Sequence, residues 1–186
     1  MHQVAVIVGS LRKESINRKF AKGLARLGAE TFAFNLLEIG DLPIYNDDLW
    51  SEPPESVLRL KREVEAADAV LFVTPEQNRS IPPVLKNAVD WASRPKGKNS
   101  WAGKPTSIIG TSGGAIGTAV AQEHLRSVAV ILGTVLMGQP EVYFVTKPEH
   151  IDGNGDFPDP TTRKFLEGYL AKFDAWIQRV GRAPAK

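Results

Sequence analysis

The sequence predicts an α/β sandwich in which helices cover both faces of a five-stranded parallel sheet. Short apolar segments alternate along the 186 residues with amphipathic segments of helical period, which is typical of repeated βα units. Four of the five apolar segments are continuous, as expected of strands that are buried on both faces. Because crossovers between parallel strands are nearly always right-handed, we expect the strand order 2-1-3-4-5. A single domain over residues 1–186 accounts for the whole chain.

The boundaries of these elements follow from local signals. Strands are predicted at residues 4–8, 31–37, 69–73, 106–111 and 141–145. Ser15 is a predicted N-cap for the first helix, which ends at Gly28. Further helices are predicted around 57–67, over 82–92 after a proline doublet, from the glycine-rich segment SGGAIG to about residue 132, and over 161–180.

The composition excludes several classes of protein. The sequence contains no cysteine, so a disulfide framework, a thiolate nucleophile and an iron–sulfur site are excluded. The formal net charge of +2 is too small to indicate a nucleic acid partner. The N-terminal segment MHQVAVIVGS lacks the basic region and cleavage site of a signal peptide, and no apolar run has the length of a membrane span. We therefore expect a cytoplasmic protein without a membrane partner.

Three polar or glycine-rich loops follow the first, third and fourth predicted strands. They are GSLRKESIN at 9–17, TPEQNRS at 74–80 and TSGGAIG at 111–117. In an open parallel sheet, ligands bind beyond the carboxyl ends of the strands, where the strand order reverses. Because this topology places the three loops side by side, we expect a composite binding site at that edge.

The loop at 9–17 has the composition of an anion site. Ser10, Arg12, Ser15 and Asn17 surround a helix start, where unpaired N–H groups and the helix dipole favour an anion. Hydroxyl and amide groups donate to phosphate oxygens, and Arg12 adds positive charge. Ser15 alone is better explained as a helix cap, whereas the set favours phosphate binding.

The loops at 74–80 and 111–117 suit a flat ligand. Asn78 and the backbone from Pro75 onward suit the edge of a heteroaromatic ring that carries donors and acceptors. The glycines at 113, 114 and 117 allow such a ring to approach the backbone, although turn geometry explains Gly117 equally well. Glu76 is either a general base or an acceptor for backbone N–H groups that rigidify its loop, and we favour the second role.

Other chemistries lack their sequence motifs. The absence of GxxxxGK[ST] disfavours nucleoside triphosphate hydrolysis, and the absence of GxGxxG disfavours a Rossmann dinucleotide site. The sequence also lacks GxSxG, the motif that would indicate an acyl hydrolase. The three histidines, His2, His124 and His150, do not have the spacing of metal ligands, so no metal site is predicted. Asn87, in the third helix, is interpreted as a capping or packing residue.

The sequence resembles the NAD(P)H-dependent FMN reductase family, and within it the bacterial chromate and quinone reductases with a flavodoxin-like fold. The segments GSLRKESIN, LPIYNDD, TPEQNRSIPPVLKNAVDW and TSGGAIG followed by HLR occur in the order of that family. The patterns GSLRxxSxN and TPExNxSxPxxLKNAxDW form a specific pair. The similarity extends over nearly the whole chain.

The resemblance implies a non-covalently bound FMN that is reduced by NADPH or NADH. By resemblance, the FMN phosphate is bound by Ser10, Arg12, Ser15, Ile16 and Asn17, the isoalloxazine edge is lined by Pro75, Glu76, Gln77 and Asn78, and the other side is closed by Ser112, Gly113 and Gly114. Arg12 and Arg79 are candidates for the extra phosphate of NADPH or for an anionic acceptor. The resemblance also implies quinones as acceptors, with chromate as a further acceptor, and a homodimer or homotetramer.

This chain departs from the family pattern at two positions. Gln77 replaces the usual tyrosine, which affects the shape of the nicotinamide and substrate pocket more than FMN binding. Val120 stands where close relatives often carry an arginine, so a subunit contact that relatives make is expected to be missing. Trp50, the segment 52–54 after it and the helix at 82–92 are the expected interface material.

The mechanism expected from the resemblance is a ping-pong hydride transfer that requires no acid–base side chain. An alternative is a flavodoxin-type electron carrier, which is disfavoured because such carriers are strongly acidic and have the phosphate loop S/T-x-T-G-x-T. A signalling receiver domain is also disfavoured, because Gly9 and Thr74 follow strands where acidic residues would be required.

Overall fold

The sheet has the predicted strand order. The computed structural model describes residues 1–147 and 149–181. Its strands are β1 (His2–Val8), β2 (Phe32–Leu36), β3 (Ala69–Val73), β4 (Pro105–Ser112), β5 (Val135–Leu136) and β6 (Tyr143–Val145). All pairings are parallel, in the order β2-β1-β3-β4-β5, with β6 also paired to β4. The predicted order 2-1-3-4-5 is confirmed, and this is the flavodoxin-like topology.

The last position of the sheet differs from the prediction of one strand at 141–145. Two short strands share it: β5 pairs with the start of β4, and β6 pairs with the end of β4. In the part of the chain that the structure describes, the sheet therefore contains six strands in five positions. Pro140 lies between the two short strands and has no N–H group to donate to a ladder, which explains why one continuous strand does not form.

Within the described residues, five α-helices cover the two faces of the sheet. They are α1 (Ile16–Leu27), α2 (Glu55–Ala66), α3 (Pro83–Ala92), α4 (Ala119–Ile131) and α5 (Pro160–Val180), and a short 3₁₀ helix covers Asp47–Ser51. On one face, α2, α3 and α4 bury a core around Trp91 and Trp101. On the other face, α1 and α5 bury a second core around Phe20 and Phe173. No helix in the described part of the chain is both long and apolar enough to cross a membrane.

The helix starts at the carboxyl edge of the sheet are determined by local chemistry. Ser15 caps α1, since its Oγ accepts the N–H of Arg18 at 3.2 Å. Pro83 occupies the first turn of α3, where a missing N–H costs nothing. As a result, α1 and α3 begin close to the loops in which the sequence predicts a site.

The segment before the 3₁₀ helix is attached to α3. The Asn87 side chain accepts the N–H of Tyr45 at 2.8 Å and donates to the carbonyl of Pro43 at 2.9 Å. Trp91 Nε1 donates to the same carbonyl at 2.7 Å, and Trp50 packs edge-on against Trp91. Asn87, interpreted from the sequence as a capping or packing residue, does have such a structural role, since its side chain forms hydrogen bonds to the backbone of this segment.

Candidate functional site

The three predicted loops meet at the carboxyl edge of the sheet, and each is connected to the others. The loop after β1 packs on the loop after β3. A methyl group added at Gly9 would lie 3.1 Å from Pro75 Cδ and 3.2 Å from Leu85 Cδ2. The Gly9 N–H also donates to the carbonyl of Val73 at 3.0 Å. A side chain at position 9 would therefore separate the two loops.

Asn17 connects α1 to the end of β4. Its Nδ2 donates to the carbonyl of Thr111 at 2.8 Å, and its Oδ1 accepts the N–H of Thr111 at 3.0 Å. Asn17 is only 1% exposed, so both bonds lie in a low-dielectric environment. The side chain that the sequence assigned to an anion thus holds two of the loops together.

Glu76 connects the loop after β3 to α4. Its Oε2 accepts the N–H groups of Val120 and Ala121 at 2.9 and 3.1 Å, and its Oε1 accepts from Arg79 at 3.2 Å. The carboxylate therefore caps the first turn of α4 from another loop, with the charge that the helix dipole favours. This geometry agrees with the favoured interpretation of Glu76 as an acceptor for backbone N–H groups.

Residues 77–80 form a tight β-hairpin. Gln77 and Ser80 exchange two backbone hydrogen bonds, of 3.1 and 2.9 Å. The two central residues, Asn78 and Arg79, have φ values of 50° and 60°. This is the geometry of a type I′ turn, which Asn tolerates well and Arg does not. The hairpin thus places Gln77, Asn78 and Arg79 in exposed positions at the edge of the site.

The glycine-rich loop after β4 is closed by Ser112. Its Oγ donates to the carbonyl of Gly117 at 2.7 Å and accepts the N–H of Gly114 at 3.1 Å. Gly117 has a φ of 59°, and an added Cβ would lie 2.8 Å from the Tyr143 backbone, so turn geometry requires this glycine. Added Cβ atoms at Gly113 and Gly114 would meet no close contact within the described residues.

The loop after β1 and the start of α1 carry several hydrogen-bond donors. Ser10 is partly buried, Arg12 is exposed, and the Ser15 hydroxyl proton remains available because its oxygen acts as an acceptor toward Arg18. The first N–H groups of α1, at Ile16 and Asn17, have no partner within the helix. These groups together form a donor set of the kind that binds a phosphomonoester.

Cavities flank this edge of the sheet. One of about 400 Å³ is bordered by Ile16, Lys19, Gly113, Thr146 and Lys147, so it adjoins the loops after β1 and β4. Another of about 560 Å³ lies between Leu11, Ile44, Tyr45 and Val84. Among the residues that the structure describes, no cluster of His, Cys, Asp and Glu could hold a metal ion.

A larger cavity of about 920 Å³ lies elsewhere, beside α2 and the segment 95–104. Lys61 borders it and donates to the carbonyls of Ala92 and Lys98 and to Ser100 Oγ, at 3.3, 2.6 and 2.7 Å. Burial lowers the pKa of Lys61. Its ammonium group is committed to these acceptors, so this region connects α2 to the neighbouring segment and we do not assign the site to it.

Two contacts of the site were not predicted from the sequence. Thr111 is the partner of Asn17, and His124 Nδ1 lies 3.0 Å from Ser80 Oγ. The members of these pairs are separated by 94 and 44 residues. No local pattern could have indicated such pairs, because a side chain that bonds across a fold leaves no periodicity in the sequence.

Comparisons with known proteins agree with this geometry. Residues 2–149 match the family described as NADPH-dependent FMN reductase. The chain is 50% identical over 176 residues to a 2-hydroxy-1,4-benzoquinone reductase from Burkholderia sp, an alignment that covers 95% of this chain and 96% of the relative. It is 46% identical to a quinone reductase from Pseudomonas putida, with 96% of both chains covered.

A solved structure extends the comparison to three dimensions. The flavoenzyme NAD(P)H:(acceptor) oxidoreductase FerB from Paracoccus denitrificans superposes with a TM-score of 0.94 and 52% identity, over 97% of this chain and 99% of that chain. The resemblance seen in the loop motifs is therefore confirmed, and the chain belongs to the NADPH-dependent FMN reductase family of flavin-dependent enzymes.

Proposed function

We propose that this protein is an FMN-dependent NAD(P)H:quinone oxidoreductase, with the whole chain acting as one FMN-binding domain. One observation carries the proposal: the loops after β1, β3 and β4 are joined around one edge of the sheet by Asn17, Glu76 and the packing of Gly9 on Pro75. The names of the Burkholderia and Pseudomonas relatives support quinones as the acceptors.

The residues at this edge have the chemistry that FMN requires. We assign the phosphate to Ser10, Arg12 and the hydroxyl of Ser15, with the N–H groups of Ile16 and Asn17. The Asn17 side chain is committed to Thr111, so we assign its contribution to the backbone. The isoalloxazine edge is assigned to residues 75–78, and its other side to Ser112, Gly113 and Gly114, where the two glycines leave room for a flat ring.

Bound FMN would supply the hydride chemistry, and the protein would bind, orient and shield it. Glu76 and Asn17 keep the loops at a fixed separation, which reduces the reorganisation needed on binding. The exposed guanidinium groups of Arg12 and Arg79 are suited to the extra phosphate of NADPH or to an anionic acceptor such as chromate. We further propose a ping-pong mechanism, in which donor and acceptor use the same open face in turn.

The proposed function is tested by the absorbance spectrum of the purified protein and by turnover. We expect flavin bands in the visible blue that are bleached by NADPH or NADH and restored by benzoquinone. Initial rates at several fixed acceptor concentrations should give parallel double-reciprocal lines. A colourless protein that does not take up FMN would refute the proposal, and intersecting lines would refute the ping-pong order alone.

The phosphate assignment is tested at Arg12. We expect Arg12→Ala to lose FMN during gel filtration, because an exposed guanidinium that pairs with phosphate contributes charge and directed donors. Arg62→Ala is the matched control, since Arg62 pairs with Glu55 on α2, away from the loops. Equal flavin content in both variants and the parent protein would remove Arg12 from the phosphate site.

The electron carrier is the rival function, and steady-state turnover separates the two. A carrier passes single electrons to a protein partner and shows almost no NAD(P)H oxidation with benzoquinone alone. The name of the FerB relative, an NAD(P)H:(acceptor) oxidoreductase, supports the enzyme.

We also propose a cytoplasmic location, with which the lack of cysteine is compatible.

We also propose that the protein is a homodimer or homotetramer. Ile44 is 88% exposed and Leu11 is 52% exposed, and both border the cavity of about 560 Å³ beside α3. Exposed apolar side chains around a groove are typical of subunit contacts. Trp50, whose ring packs against Trp91, is half-buried and stays part of the proposed interface.

A further inference from the structure

We propose that Ser80 and His124 deliver the proton that completes quinone reduction, an inference that rests on the proposed function. A quinone that gains a hydride becomes a hydroquinone anion, and one proton must still reach its oxygen. The ping-pong scheme does not require a side chain for this step, but a donor beside the acceptor, within the loops that border the proposed flavin site, would speed the transfer. The two side chains form a hydrogen-bonded pair at that position, with Ser80 Oγ 3.0 Å from His124 Nδ1.

Both members of the pair are held by the contacts that build the site. Ser80 closes the hairpin of residues 77–80 through two backbone hydrogen bonds with Gln77. His124 lies in α4, one turn after Val120, whose N–H is bound by Glu76 from the loop that carries Ser80. The distance between hairpin and helix is therefore fixed, and it brings the hydroxyl to the imidazole.

The proton moves inward, from solvent through His124 and Ser80 to the acceptor. When His124 is protonated, Nδ1–H donates to Ser80 Oγ, and the Ser80 hydroxyl proton points away from the imidazole. The hydroquinone anion takes the Ser80 proton, Ser80 Oγ takes the proton from Nδ1, and the imidazole becomes neutral. One O–H bond forms on the product and one N–H bond is lost from His124. Because His124 is exposed, water restores its proton.

The other polar groups of the hairpin loop suit this task less well. Glu76 uses Oε2 for the N–H groups of α4 and Oε1 for Arg79. The Arg79 guanidinium donates to Glu76 Oε1 and is committed to that ion pair. An amide such as Gln77 or Asn78 does not release a proton either. Ser80, paired with His124 of α4, is therefore the polar group of this loop whose chemistry permits rapid transfer.

The first experiment compares two acceptors during reoxidation of the reduced protein by stopped flow. Benzoquinone needs a proton, whereas ferricyanide accepts electrons without one. We expect Ser80→Ala and His124→Gln to slow reoxidation by benzoquinone at least tenfold and to reduce its solvent isotope effect, with ferricyanide rates unchanged. Ser80→Thr should restore the benzoquinone rate, and His2→Gln, a histidine at the start of β1, is the matched control.

The second experiment detects the hydrogen bond between Ser80 and His124 in the absence of turnover. We expect ¹⁵N NMR of the imidazole groups to show a hydrogen-bonded Nδ1 for His124, and the Nδ1 resonance to move in Ser80→Ala. A fixed resonance, or equal rates for benzoquinone in all variants, would overturn the proposal, as would equal slowing of both acceptors. If the parent protein neither binds FMN nor reduces benzoquinone, the proposed function itself has failed, which is distinct from either result.

Discussion

At the scale of single residues, Glu76 does more than the other side chains to shape the proposed site. Its side chain is 9% exposed and accepts three hydrogen bonds, two from the start of α4 and one from Arg79. Each bond has a charged acceptor, which makes it stronger than a neutral pair. One carboxylate thus determines the separation between the loop after β3 and the start of α4.

Removing this carboxylate should loosen the site. We expect Glu76→Ala to lower the free energy of unfolding by about 1 to 2 kcal/mol, because two helix N–H groups lose their acceptor. FMN should also dissociate faster. Glu76→Gln keeps an acceptor oxygen and should lose about half as much, as measured by urea unfolding. An alanine variant as stable as the parent would contradict the capping role.

The turn at residues 77–80 carries backbone strain at Arg79. A non-glycine residue at a φ of 60° is destabilised by about 1 to 2 kcal/mol, part of which glycine recovers. We expect Arg79→Gly to be more stable than Arg79→Ala by about 0.5 to 1 kcal/mol in urea unfolding. Both variants lose the ion pair with Glu76, so their difference isolates the turn. Equal stability of the two would show that the turn is not strained.

At the scale of elements, α5 depends on a charged cap. Asp159 accepts the N–H of Thr162 at 2.7 Å. Hydrogen bonding from the Thr162 side chain, and secondly from this N–H, holds the pKa of Asp159 below its usual value. A carboxylate with a lowered pKa stabilises the fold above the pKa of the unfolded chain. That contribution is lost as the pH falls through the lower pKa of the folded state.

The Asp159 cap predicts how the stability of the protein falls in acid. Between about pH 5 and pH 2, the parent protein should lose more stability than Asp159→Asn, whose amide oxygen caps without titrating. The measurement is the urea midpoint as a function of pH, with both proteins in the same buffers. Parallel pH curves for the two proteins would show that Asp159 does not contribute.

At Gly110, β4 passes so close to the residue after β3 that only glycine fits. A Cβ at Gly110 would overlap the carbonyl oxygen of Thr74 and lie 2.6 Å from Thr118 Oγ1. We expect Gly110→Ala to lower the free energy of unfolding by about 3 kcal/mol, because backbone cannot yield as a side chain does. Gly138→Ala, which adds a methyl group at an exposed loop, is the control and should be nearly neutral. Similar losses in both would contradict the close approach.

The sequence predicted the elements well where the physical signal was local. Continuous apolar runs identified β1, β3 and β4, and Ser15 identified the start of α1. The two-residue strand β5 was missed, because two residues are too few to show a pattern. The convergence of the three loops followed from topology, whereas the Asn17–Thr111 and Ser80–His124 contacts required the folded structure.

At the scale of the whole molecule, the proposed subunit association should depend on the apolar rim that Leu11 and Ile44 form beside α3. We expect Ile44→Asp to lower the molecular mass in solution toward that of the monomer, since a carboxylate cannot be buried there without a partner. Val130→Asp changes another exposed residue, at 73% exposure on α4, and is the control. Light scattering after gel filtration measures both, and an unchanged mass for Ile44→Asp would exclude this rim as the interface.

The divided last position of the sheet has a consequence for aggregation. β5 and β6 offer only two and three residues of unpaired backbone on their outer side, and a proline lies between them. Rows this short are poor templates for a foreign strand. The opposite border of the sheet, β2, is five residues long. Fibril growth from a partly unfolded chain should therefore begin at β2, and a proline placed in that strand would suppress it.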